Sequence, residues 1–207
     1  MVIDAFLLLD EPRRPWLDVD ALKSRFLARS AEIHPDRVHG ASDSERSEAN
    51  TRYAEINVAY NRLREVRDRL LHLYELEVGH PPKDIQRVPP GTMDLFVEVG
   101  QTCRDCDAFL AGRTVTTSPM LKLQVFKEGL GWTDRLQTLQ QQVNARRDAL
   151  AVELAGMNRA WESASPPESP TRRDELPLER LEQIYRALSY VARWTEQIQE
   201  RLVQLAV

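Results

Sequence analysis

From residue 178 onward an apolar side chain returns at every third or fourth position: Leu178, Leu181, Tyr185, Leu188, Val191, Trp194, Ile198 and Leu202. An α-helix turns once in about 3.6 residues, so this spacing draws one stripe down one face, whereas a strand would need strict alternation. A stripe of that length is stable only when other long helices cover it. The chain supplies two, over about 92–111 and 119–162, the second weakened by Gly129 and Gly131. A loop over 163–173, with three prolines and three serines, separates them from the last helix. Eight glycines among 207 residues and 7% aromatics leave little material for a fold of tight β-turns. The expected fold class is all-α, with a three-helix bundle over 92–207 and no internal repeat.

The first 78 residues read as a separate, smaller helical module. Residues 4–10 form a short helix with Phe6 and Leu9 facing inward, broken by Pro12 and Pro15. Asp18 is an N-cap residue for a helix whose stripe is Val19, Leu22, Phe26 and Ile33. Proline at 35 drives the preceding residue out of the α region, so this helix ends near Ile33 or His34. A polar loop over 37–43 leads into one long helix from Ser44 to Glu77, with Ala49, Tyr53, Ile56, Tyr60, Leu63, Val66, Leu70 and Leu73 on its stripe. Two amphipathic helices joined by a short loop pair antiparallel and bury their stripes against each other. Gly79, Pro81-Pro82, Pro89-Pro90 and Gly91 then mark a linker over 79–91.

Charge and composition exclude several functions. The net charge is −4, with 12 basic against 15 acidic residues over 1–79 and 16 against 17 beyond, so no basic surface for nucleic acid or membrane is expected. The apolar run Ile3 to Leu9 is too short to span a bilayer and lacks the flanks of a signal peptide, which implies the cytoplasm. There is no glycine-rich phosphate loop, no nucleophile–base signature and no carboxylate–histidine metal motif, so neither an enzyme nor a cofactor is expected. Cys103 and Cys106 make one CxxC, half of a zinc site. On a helix they would need outside ligands such as His72 or His80, and two ordinary cysteines are the expectation.

His34-Pro35-Asp36 sits in the loop of the N-terminal hairpin, followed by Arg37 and by a counter-helix bearing Ile56-Asn57-Val58-Ala59-Tyr60-Asn61-Arg62-Leu63. With Asp4-Ala5-Phe6 ahead of it, the segment from Asp4 to about Val78 resembles a J-domain. That resemblance implies a co-chaperone which stimulates a DnaK/HscA-type ATPase through the loop of His34, Pro35 and Asp36. In that family the helix before the loop docks on an acidic surface, and here Lys23, Arg25, Arg29 and Arg37 supply the positive charge. Glu32 departs from the pattern, since many J-domains carry Lys or Arg there. The bland reading of these cations is a solvated helix face.

A J-domain followed by a helical bundle is similar to the HscB type of co-chaperone, which presents an iron–sulfur cluster scaffold protein to its chaperone. Ala59-Tyr60-Asn61-Arg62-Leu63-Arg64 with Arg69 and Leu73 is similar to that family's junction at the end of the counter-helix. Asn144–Leu150 and Tyr185–Tyr190 fall where its last two long helices would. The family usually has a proline where Val66 stands. Its Met- and Glu-rich client-binding run is replaced by Met93-Asp94-Leu95-Phe96-Val97-Glu98-Val99-Gly100, and 112–132 looks inserted. The resemblance makes Met93, Phe96 and Val97 candidates for the client face; the other reading puts them in the bundle core. The alternative to a co-chaperone is a helical scaffold whose J-like module no longer activates a partner.

Overall fold

In the computed structural model, residues 3–34, 42–82, 88–113 and 118–206 are described. Among them lie eight helices and no strand: α1 (Ala5–Leu8), α2 (Val19–Glu32), α3 (Asp43–Arg64), α4 (Val66–Val78), α5 (Met93–Gly112), α6 (Pro119–Ser163), α7 (Arg172–Glu175) and α8 (Leu178–Ala206). None of these is long and apolar enough to cross a membrane. The chain divides into two compact units, one of residues 1–84 with 152–185, the other of 85–151 with 186–207. The division falls inside α6 and inside α8.

In the first unit α1, α2 and α4 each pack on α3. α1 starts where the Asp4 carboxylate accepts from the Phe6 and Leu7 amides, and the same carboxylate binds Arg13 at 2.7 Å. Phe6 and Leu9 are buried, as their positions on the short helix require. α2 begins where Asp18 accepts from the amides of Asp20 and Ala21. Its stripe is shorter than expected: Leu22 is buried and Phe26 stacks on Tyr60 at 4.2 Å, but Val19 is 52% exposed.

The single long helix expected from 44 to 77 is two helices. Glu65 adopts an extended backbone (φ −84°, ψ 117°) between α3 and α4, although neither proline nor glycine stands there. Arg69 explains how the break is tolerated. Its side chain is 1% exposed and donates to the carbonyl of Leu63 at 2.6 Å and to that of Pro15 at 2.9 Å. It therefore satisfies an acceptor at the end of α3 and ties the α1–α2 connection to the same point. Burial pushes its pKa down to about 10, which leaves it charged at neutral pH.

The 152–185 segment joins this unit through polar pairs that no periodicity could announce. The Asn158 side-chain amide accepts from the Trp16 N–H and donates to the Trp16 carbonyl, both at 3.0 Å. Arg172, on the short α7 that replaces the end of the expected loop, makes a bidentate pair with Glu77 at 2.8 Å, and both side chains are buried. The second unit is a bundle of α5 with parts of α6 and α8. Its core is Val99, Cys103, Cys106, Leu136, Leu139, Val143, Val191, Trp194 and Ile198. α6 runs through Gly129 and Gly131 without interruption.

α1 is also held by a histidine. The Ala5 N–H donates to Nε2 of buried His72 at 3.0 Å, and the Phe6 and His72 rings lie parallel at 5.9 Å. That bond needs a neutral ring, and burial, reinforced by the charge of Arg62, pushes the pKa of His72 down to about 4. The unfolded chain takes up the proton near pH 6.5, so this contribution is complete above that pH and is lost as pH falls toward 4. Comparing wild type with His72→Gln by urea denaturation at pH 7.5 and 4.5 should show an extra loss of about 2–3 kcal/mol in the wild type at the lower pH. Equal losses in the two proteins would show that His72 is not buried neutral.

Candidate functional site

Two surfaces carry the residues that the sequence singled out. The first is the α2–α3 hairpin. α2 closes where the Ile33 N–H donates to Arg29 O, and the chain leaves the helix at His34, as a residue before proline must. The His34 imidazole stands edge-on to the Tyr53 ring of α3, with centroids 5.3 Å apart and the planes 77° from parallel. Its direction is thus fixed by the same pairing of α2 on α3 that stacks Phe26 on Tyr60. Pro35, Asp36 and Arg37 lie outside the described residues.

The cations of α2 do not form one patch. Lys23 is exposed, and two residues from Arg25 it points to the other side of the helix. Arg25 and Arg29 do share a face, as their i, i+4 spacing demands, but that face meets the turn after α1. The Arg25 guanidinium donates to the carbonyl of Asp10 and lies 3.4 Å from the carboxylate of Glu11. Glu11 is buried, which raises its pKa, while Arg25 and Arg14 pull it back down. Arg29 lies 3.3 Å from the Asp10 carboxylate and 3.6 Å from that of Glu32. Glu32 is visible in the sequence as a departure from the J-domain pattern, whereas Asp10 and Glu11 reach these arginines only through the turn that returns residues 10 and 11 to α2.

The second surface is on α5. Its buried face is Val99, Cys103 and Cys106, at spacings of four and three, with Leu95 and Leu110 extending it. Met93, Phe96 and Val97 fall off that face and are 53%, 42% and 58% exposed. The reading that placed them in the bundle core is therefore incorrect. The Phe96 ring meets Tyr190 of α8 edge-on at 6.0 Å, which orients it without covering it. Further apolar side chains, among them Met120, Leu123 and Phe126, are exposed on the first turns of α6, inside the segment that looked inserted.

Cys103 and Cys106 are core residues. Burial is the largest effect on both thiols and raises their pKa, which opposes the thiolate that metal binding or redox chemistry requires. Nε2 of His72, one of the outside ligands considered, is occupied by the Ala5 amide. No group of three or more potential ligands occurs among the described residues.

Because Met93 and Val97 touch the core so little, replacing both by serine should change the folding free energy by no more than about 0.5–1 kcal/mol. Val99→Ala, on the opposite face, should cost about 2–3 kcal/mol. Urea denaturation of the two variants checks this; a double serine variant as destabilised as Val99→Ala would put Met93 and Val97 back in the core.

No protein-family model matches the chain. Solved structures do resemble it. The chaperone HscB from Vibrio cholerae superposes with a TM-score of 0.54, covering 98% of this chain and 99% of that one at 21% identity. The human co-chaperone protein HscB does so with a TM-score of 0.61, covering 96% of this chain and 82% of that one at 18% identity. Identities of this size speak for the architecture: the chain has the all-α fold of the HscB co-chaperones.

Proposed function

We propose that this protein is a J-domain co-chaperone of the HscB kind, which stimulates a DnaK/HscA-type ATPase and performs no chemistry of its own. One observation carries the reading. His34, at the head of the His-Pro-Asp tripeptide, stands at the end of a helical hairpin, held against Tyr53, in a chain with the HscB fold. A tripeptide that combines an imidazole, a fixed φ and a carboxylate makes a compact polar hook. Such a hook acts by binding the hydrolytic state of the ATPase better than the other state, and so shifts the partner's equilibrium. Lys23, Arg25, Arg29 and Arg37 are the cations assigned to the acidic surface of that partner.

The exposed α5 face of Met93, Phe96 and Val97 is assigned to the client, in keeping with apolar side chains left open on an otherwise packed helix. An iron–sulfur scaffold is the client that the fold suggests. Residues 1–78 then serve the chaperone, 92–207 hold the client, and the 79–91 linker keeps both on one chain, which raises the local concentration of client at the ATPase.

A second reading has its own support. Arg25 and Arg29 already have acidic neighbours in the chain, as they would in a J-like module kept only as a scaffold. Single-turnover ATP hydrolysis by a DnaK-type chaperone from the same cell separates the two. The co-chaperone reading expects roughly tenfold or greater acceleration by the wild type and a return to the basal rate with His34→Gln. No acceleration by either protein, against each such chaperone of that cell, would leave the scaffold reading.

A further inference from the structure

The turn between α1 and α2 carries an acidic residue in a left-handed backbone. The Asp10 N–H donates to Leu7 O and the Glu11 N–H to Phe6 O, the pair of bonds that closes a helix through a left-handed residue. Asp10 is that residue, with φ 53°, and no other non-glycine among the described residues has positive φ. Glycine or asparagine fills this place most readily. The side chain that stands there instead is anionic, is 64% exposed, and lies beside Arg29. Asparagine would suit this backbone without the charge, so the charge points to a requirement other than folding.

That requirement lies on α2. The Asp10 carboxylate is 3.3 Å from Nε of Arg29 without hydrogen-bond geometry, and its carbonyl accepts from Arg25. Exposed pairs of this kind are weak and screened by salt, so a competing carboxylate can displace them. Glu32, which stands where J-domains often carry a cation, adds a second anion 3.6 Å from Arg29. We propose that Asp10 is a specificity-determining residue of the chaperone interface, an anion held in cis beside Arg29 on the face it shares with Arg25. Only a partner whose acidic surface outcompetes it engages Arg29. The proposal rests on the reading of α2 as the chaperone-facing helix. It makes the basic face conditional: weakly acidic partners are rejected by Asp10 itself as well as by the neutralised arginines.

Asp10→Asn and Asp10→Gly test this without endangering the fold, since both residues suit the left-handed backbone; neither should lower the melting temperature. ATPase stimulation would be titrated with wild type, each variant and His34→Gln, at about 50 mM and about 500 mM salt. Both variants should reach half-maximal stimulation at about fivefold lower concentration in low salt, with the gain shrinking in high salt. Stimulation by the variants where the wild type gives none would support the proposal more strongly still. An unchanged or higher half-maximal concentration, while His34→Gln still abolishes stimulation, would overturn the mask and leave the co-chaperone reading standing. A gain that persists in high salt would also overturn it. No stimulation by any of the proteins would remove the reading and the proposal together.

Discussion

Arg69 carries a guanidinium into the interior of the first unit and gives its N–H groups to two backbone carbonyls, Leu63 at the end of α3 and Pro15 before α2. A buried charge is costly, and buried carbonyls without donors are costly as well; here each meets the other's need. Because the two carbonyls belong to different segments, one side chain fixes both where α3 stops and where the α1–α2 connection runs. α4 is then free to leave α3 at Glu65, and His72 comes to the amide of Ala5. Trp16, one residue past the bonded Pro15, is in turn gripped by Asn158, and the base of the unit closes through Glu77 and Arg172.

The consequence for the functional surface is positional. With the α1–α2 connection pinned at Pro15, α2 has one lie on α3, recorded in the Phe26–Tyr60 stack. Its last turn therefore delivers His34 to Tyr53, and its arginine face to the turn at Asp10 and Glu11. The same constraint brings the anions of the α1–α2 turn to the arginine face of α2. Under the proposed function, affinity for an acidic partner would be a difference between two electrostatic contacts, one within the chain and one outside it.

Much of this was legible from residue order. The stripe from Leu178 to Leu202, the cap at Asp18 and the inward Phe6 and Leu9 all follow from local periodicity, and the structure has them. The break at Glu65 was not legible, because the sequence offers helix-forming residues there and the cause lies in the carbonyls that Arg69 reaches. The grouping of 152–185 with the N-terminal unit depends on Asn158 and Arg172, polar residues that read as surface until their distant partners are known. Met93, Phe96 and Val97 were ambiguous for a different reason. Five apolar residues within 93–99 cover more than one face, and only packing decides which of them turn inward. Likewise Arg25 and Arg29 announced a basic face, while Asp10 and Glu11, distant in the sequence, gave no sign of sharing it.

The central claim is that α2 and the residues around His34 meet the chaperone while the α5 face remains open for a client. Amide chemical-shift mapping of the isotopically labelled full chain, titrated with the ATP-bound DnaK-type chaperone, tests it most directly. The account predicts changes confined to α2, to the turn at Asp10 and Glu11 and to the neighbourhood of His34 and Tyr53, with Met93–Val97 unmoved. Changes centred on α5 with α2 silent, or no changes at all, would contradict it.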